Sequence, residues 1–180
     1  MVQSSGYAAE QSTSITPDDG QIYGAVRNWL LGILPAGMAV VQGQQNRVAP
    51  PALPFVTMLL LERERLATNS WTYTPTTREV CEPVRLGMQL GLFGPGAGAG
   101  VQAITTLWRD PNAAACFAGL PFPLAQLDAD APTRPGLWEG EHQYEEHWRE
   151  DRHAQGRFQT SIAQDLETGL GHCSAVLGVG

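Results

Sequence analysis

The sequence has no lysine: all eleven basic residues are arginine, set against eighteen carboxylates for a net charge of −7. Arginine keeps its charge when partly desolvated and pairs with carboxylates through two parallel hydrogen bonds, so it suits protein interfaces better than lysine does. A GC-rich genome would favour arginine codons equally well. An acidic chain without a basic cluster is ill suited to gripping nucleic acid or an anionic membrane. Cysteine is scarce too. Cys81, Cys116 and Cys173 form no CxxC pair, so finger-type zinc ligation is unsupported and they read as reduced, mostly buried thiols. The longest largely apolar stretch, residues 56–61, is far too short to cross a bilayer. Residues 1–19 offer neither a basic n-region nor an apolar h-region, so no cleavable export signal is expected.

What is present is the material of one domain: 180 residues, 43% hydrophobic, enough to close a single core. Residues 1–16 are rich in Ser, Thr and Gln and read as a flexible arm, with one domain over 17–180. Thr16-Pro17-Asp18-Asp19 predicts a helix start with Thr16 as cap. Ile22, Tyr23, Val26, Trp29, Leu30 and Ile33 then recur at helical spacing until Pro35 and Gly37. Residues 38–42 read as a short buried strand and 44–47 as a polar loop. Residues 55–65 read as a strand ending in the charges Glu62-Arg63-Glu64-Arg65. A connection over 67–75 leads to a long strand over 76–92, whose Val80, Val84, Leu86, Met88, Leu90 and Leu92 share one parity.

GPGAGAG at 94–100 lacks the spacing of a dinucleotide fingerprint and reads as a turn entering a helix over 97–109. That helix would face inward with Val101, Ile104, Thr105 and Trp108. A short helical turn over 112–118 and a proline-rich stretch over 120–136 follow. Residues 143–162 alternate most strictly, with Tyr144, Glu146, Trp148, Glu150, Arg152, Ala154 and Phe158 on one face. A strand of that length runs on the order of 60 Å, where five or six residues are usual. It must bend at Gly156 or find partners beyond its own domain.

Chemistry is thin by comparison. Residues 142–153 hold three histidines and four carboxylates, but His147 and His153 would stand about 20 Å apart along a strand. A metal-dependent hydrolase using Glu145, His147 and His153 is therefore the weaker reading, and a solvated strand face laced with Glu–Arg pairs the stronger. No GxSxG elbow and no P-loop occur. Neither a catalytic residue nor a cofactor is expected. The tryptophans read as core and interface anchors.

Three stretches together resemble the phage neck terminator, or tail terminator, family of head–tail connection proteins: residues 41–58 running into 63–69, residues 93–110, and residues 143–158. The resemblance implies an α/β (α+β) fold, with a mixed, mainly antiparallel sheet and helices packed against it. It implies a virion structural protein, assembled in the host cytoplasm, that forms a ring capping the tail tube and joining tail to head. A head-closure or tail-completion protein of the connector is the alternative. The implied partners are copies of the chain, six being the usual ring, then the tail tube protein and the head-closure or connector proteins. DNA would pass through the lumen without specific binding, an acidic wall repelling its phosphates. On this likeness Gln45, Asn46 and Arg47 lie at a subunit or neck contact. Glu62, Arg63 and Arg65, with Glu146, Trp148 and Arg152 of the long strand, complete the candidate interface.

Overall fold

The computed structural model describes residues 13–43, 49, 51–135 and 146–163. Two strands of seventeen residues dominate it: β5 (Thr77–Phe93) and β7 (His147–Ala163), antiparallel and matched without a slip from Thr77↔Ala163 to Phe93↔His147. The long alternation therefore finds its partner inside the chain. It neither requires a bend at Gly156, which stays in register with Val84, nor demands a neighbour, and the case for assembly based on strand length falls. β5 carries Pro83 in register with Arg157. A proline has no N–H to give a ladder and is unusual inside a sheet.

The remaining strands flank this pair at different heights. On the β5 side lie β3 (Phe55–Arg65), paired with residues 84–93, and then β4 (Ser70–Tyr73), paired with residues 78–81. On the β7 side lie β6 (Leu124–Ala129) and then β1 (Thr13–Thr16), which pairs with residues 159–162. β2 (Ala39–Gln42) closes one edge, parallel to β3, while every other named pair is antiparallel. The fold is thus α+β, with a mixed and mostly antiparallel sheet. β4 falls in what reads as a connection, β6 in the proline-rich stretch, and Thr13–Thr16 at the end of the supposed arm.

Even-numbered residues of β5 and β7 face the helices. α1 (Asp19–Ile33) buries Ile22, Ala25, Val26, Trp29 and Leu30, the stripe that a 3.6-residue period dictates. Its cap is Asp18, two residues later than Thr16: the Asp18 carboxylate accepts from the Gln21 amide at 2.7 Å while the Gln21 side chain accepts from the Asp18 amide at 2.9 Å. This reciprocal arrangement satisfies two amides that would otherwise lack partners. α2 (Ala97–Leu107) contributes Val101 and Ile104, and α3 (Pro111–Ala118) contributes Ala113 and Phe117. Trp29, Trp108 and Phe117 meet with ring centroids 5.4–6.1 Å apart, over Val84, Leu86, Leu90 and Leu92. Cys81 is half-buried and Cys116 exposed, so the expected burial of the thiols does not hold at Cys116.

Candidate functional site

A β-bulge sets the geometry of the charged end of β3. Leu60 pairs with Met88 and Glu62 with Gly87, leaving Leu61 as the extra residue, 52% exposed. Were Leu61 paired regularly with Gly87, Glu62 would continue the helix-facing row of Met58 and Leu60. With Leu61 bulged out, Arg63 and Arg65 join that face, and Glu62 and Glu64 turn to the other. The Tyr23 hydroxyl accepts from the Leu60 amide at 2.9 Å beside the break. Arg63 is thereby placed to pair with Asp19 in the first turn of α1 and to lie 4.6 Å over the Phe158 ring. Arg65 pairs with Glu82 at 2.7 Å.

On the opposite, helix-free face, Glu62 crosses Gly87 toward His153, Oε1 standing 3.9 Å from Nε2. The crossing needs glycine: a Cβ at residue 87 would sit 2.6 Å from Glu62 Cγ. His153 Nδ1 lies 3.2 Å from Asp128 Oδ2, and the same oxygen receives Arg85 at 3.0 Å. A hydrogen bond from its own backbone, helped by the charges of Arg85 and His153, holds the Asp128 carboxyl below the usual carboxylate range, with slight burial opposing. Gln89 donates to Asp151 at 2.9 Å. Asp128, Asp130 and His153 bring one ligand atom each within 4.8 Å of one another. The Arg85 guanidinium already occupies Asp128 Oδ2 and would repel a divalent cation there. The arrangement ties β3, β5, β6 and β7 together and places no nucleophile beside a base. Of the histidine-based metal trio read from the sequence, only His153 enters this cluster. His147 stacks on Phe93 with centroids 4.2 Å apart, and Glu145 lies outside the described residues.

The other sequence candidates divide between interior and surface. Gln45, Asn46 and Arg47 lie outside the described residues. Arg152 is 2% exposed and points into the chain's own interior, paired with Glu150 and donating to Thr105 Oγ1 at 2.8 Å. Thr105 also donates to Glu150 Oε2 at 3.2 Å. Burial pushes the Glu150 carboxyl above its ordinary value against the pull of Arg152 and Thr105. Glu146 accepts from the Gly98 amide at 2.8 Å. It supplies the N-terminus of α2 with the side-chain acceptor that Gly96, the residue at the cap, cannot provide. Trp148 packs half-buried against the core. Glu62, Arg63 and Arg65 stand at the exposed end of β3.

Beyond the helices the sheet continues as four strands, β1-β7-β5-β4. On the helix-facing side, registers align Trp71, Val80, Thr160 and Ile15 in one row and Tyr73, Arg78, Ile162 and Thr13 in the next. Every residue of β1 and β4 is exposed: Ile15 by 55%, Trp71 by 54% and Tyr73 by 65%. Nothing in the alternation of residues 70–73 distinguishes an exposed Trp71 from a core one. At the β6 edge an open groove of about 640 Å³ runs between the end of α3 and β7, over Phe117, Leu120, Phe122, Leu124 and Gly156. Among the described residues no helix is long and apolar enough to cross a membrane.

Set beside known proteins, the chain matches the sequence model of the family described as "Phage neck terminator protein" over residues 20–169. No curated protein matches it.

Proposed function

Because the chain belongs to the phage neck terminator family, structural proteins that join head to tail, we propose that its copies form a ring, six to a turn. The ring caps the tail tube, ends tail polymerisation, and offers its far side to the head-closure proteins. Membership makes the chain a structural component of the phage neck. The observation that carries it is the four-stranded end of the sheet, where Ile15, Trp71 and Tyr73 stand in solvent on a face otherwise covered by helices. Exposed aromatic patches on an edge strand are docking surfaces or aggregation liabilities, and a neck protein has neighbours to cover them.

A lumen through which DNA slides is consistent with the net charge of −7. Its wall would repel phosphates, and a duplex would pass without sticking. The deciding measurement is the mass of the intact assembly, free and with tail tube. A hexamer, or association triggered by the tube, is the expected result. A chain that stays monomeric and binds neither tube nor neck proteins would refute the reading.

A further inference from the structure

We infer that the ring contact is head-to-tail: the Trp71–Tyr73 edge of one copy seats in the groove between α3, β6 and β7 of the next. The inference rests on the ring reading above and names the surfaces that make the ring.

Trp71 and Tyr73 project from the same face of β4, the outermost strand at one edge of the sheet. The groove lies at the opposite edge, where β6 meets β7. Its floor is apolar, formed by Phe117, Leu120, Phe122 and Leu124, and Gly156 keeps it open. A Cβ there would find no heavy atom nearer than 3.7 Å, so the glycine leaves free space rather than relieving a clash. About 640 Å³ accommodates an aromatic side chain with its neighbour. Aromatic anchors in apolar pockets carry most of the energy of protein interfaces. A single contact of one projection with one recess leaves one of each unfilled in a pair of copies. Repeated head to tail with a rotation that closes, it gives a ring in which every projection is buried.

Charge points the same way. Copies carrying −7 each repel, so a contact between them gains from a matched pair. Glu79, the register partner of Thr72, stands level with the strand position between the two aromatics but on the opposite face of the sheet, and has no ion-pair partner among the described residues. Neither has Arg157, which lines the groove and is exposed. In the head-to-tail arrangement these two meet.

The test uses the full-length chain and native mass spectrometry. Trp71→Ala/Tyr73→Ala removes the projection. Ala118→Trp fills the groove from an exposed position. Both alter surface residues, and unchanged melting curves would confirm that the fold survives. Each variant alone is expected to associate at least tenfold more weakly than wild type. Mixed, they should stop at a one-to-one heterodimer, because one supplies only an open groove and the other only a projection. Glu79→Arg and Arg157→Glu should each weaken the ring and together restore it. A ring that persists in both variants overturns this contact and leaves the ring reading standing. A wild-type chain that never associates, alone or on the tube, overturns the ring reading and the contact with it.

Discussion

Glu150 and Arg152 form a buried pair bonded to the exposed Thr105 of α2, and both charged groups are almost completely removed from water. The raised Glu150 carboxyl indicates that desolvation outweighs the pull of Arg152. Removing one partner should therefore be worse than removing both. Glu150→Gln is expected to destabilise by roughly 3–5 kcal/mol by stranding a buried guanidinium, whereas Glu150→Leu with Arg152→Met should be near neutral or stabilising; urea denaturation distinguishes the two. The pH dependence has a definite sign. A carboxyl raised on folding contributes fully below its unfolded pKa, and that contribution is lost as pH rises through the folded value. The stability of wild type relative to the paired variant should shrink as pH rises through that window, and a flat or growing difference would count against the assignment. On the opposite face, Gly87→Ala should cost about 1–3 kcal/mol by overpacking against Glu62, and a simultaneous Glu62→Ala should relieve it. Thermal melts of the two variants provide the comparison.

Among the elements, the most legible were those whose own periodicity sufficed. α1 shows a 3.6-residue stripe and a proline stop, and β5 and β7 show parity over seventeen residues. α3 follows Asp110-Pro111, a cap and first-turn pair readable from sequence. The missed strands share a cause. β1, β4 and β6 have four to six residues each, and they pair backbone groups that the long central strands leave open, β7 along its outer side and β5 where it outruns β3. That demand is tertiary and leaves no local trace. The bulge at Leu61 was equally hidden, since LLLERER reads the same with or without it, yet it decides which face receives Glu62 and which Arg63. Deleting Leu61 should preserve those faces, because the deleted residue is the unpaired one. Circular dichroism should show an intact fold with cooperative unfolding. The Asp128–Arg85–His153 contacts could not be read from sequence, since Asp128 belongs to a strand that sequence pattern did not reveal.

For the molecule as a whole, the absence of lysine and the surplus of carboxylates bear on DNA rather than on fold. The assembled protein should not retard duplex DNA in a gel at about 0.15 M salt, where phosphate-gripping proteins still bind. Retention that weakened steeply with added salt would instead reveal a basic lumen. On the proposed ring contact, the aromatic edge and the groove on opposite sides would make self-association directional. That property was invisible in composition, which could suggest docking but not its geometry.

The pairing of β5 with β7 also dictates a history. The two strands are neighbours in the sheet, but α2, α3 and β6 are translated between them. At about 5–20 residues per second, β5 waits several seconds on the ribosome with one edge unclaimed. During that interval the unclaimed edge of β5 is open to pairing with the same strand of an adjacent nascent chain. Pro83 does not blunt that waiting edge: its carbonyl accepts from the Leu66 amide at 2.9 Å, so the missing N–H faces the β3 side rather than the side that β7 takes. The proline therefore costs the β5–β7 ladder no hydrogen bond, which is how two seventeen-residue strands can pair across it without a slip.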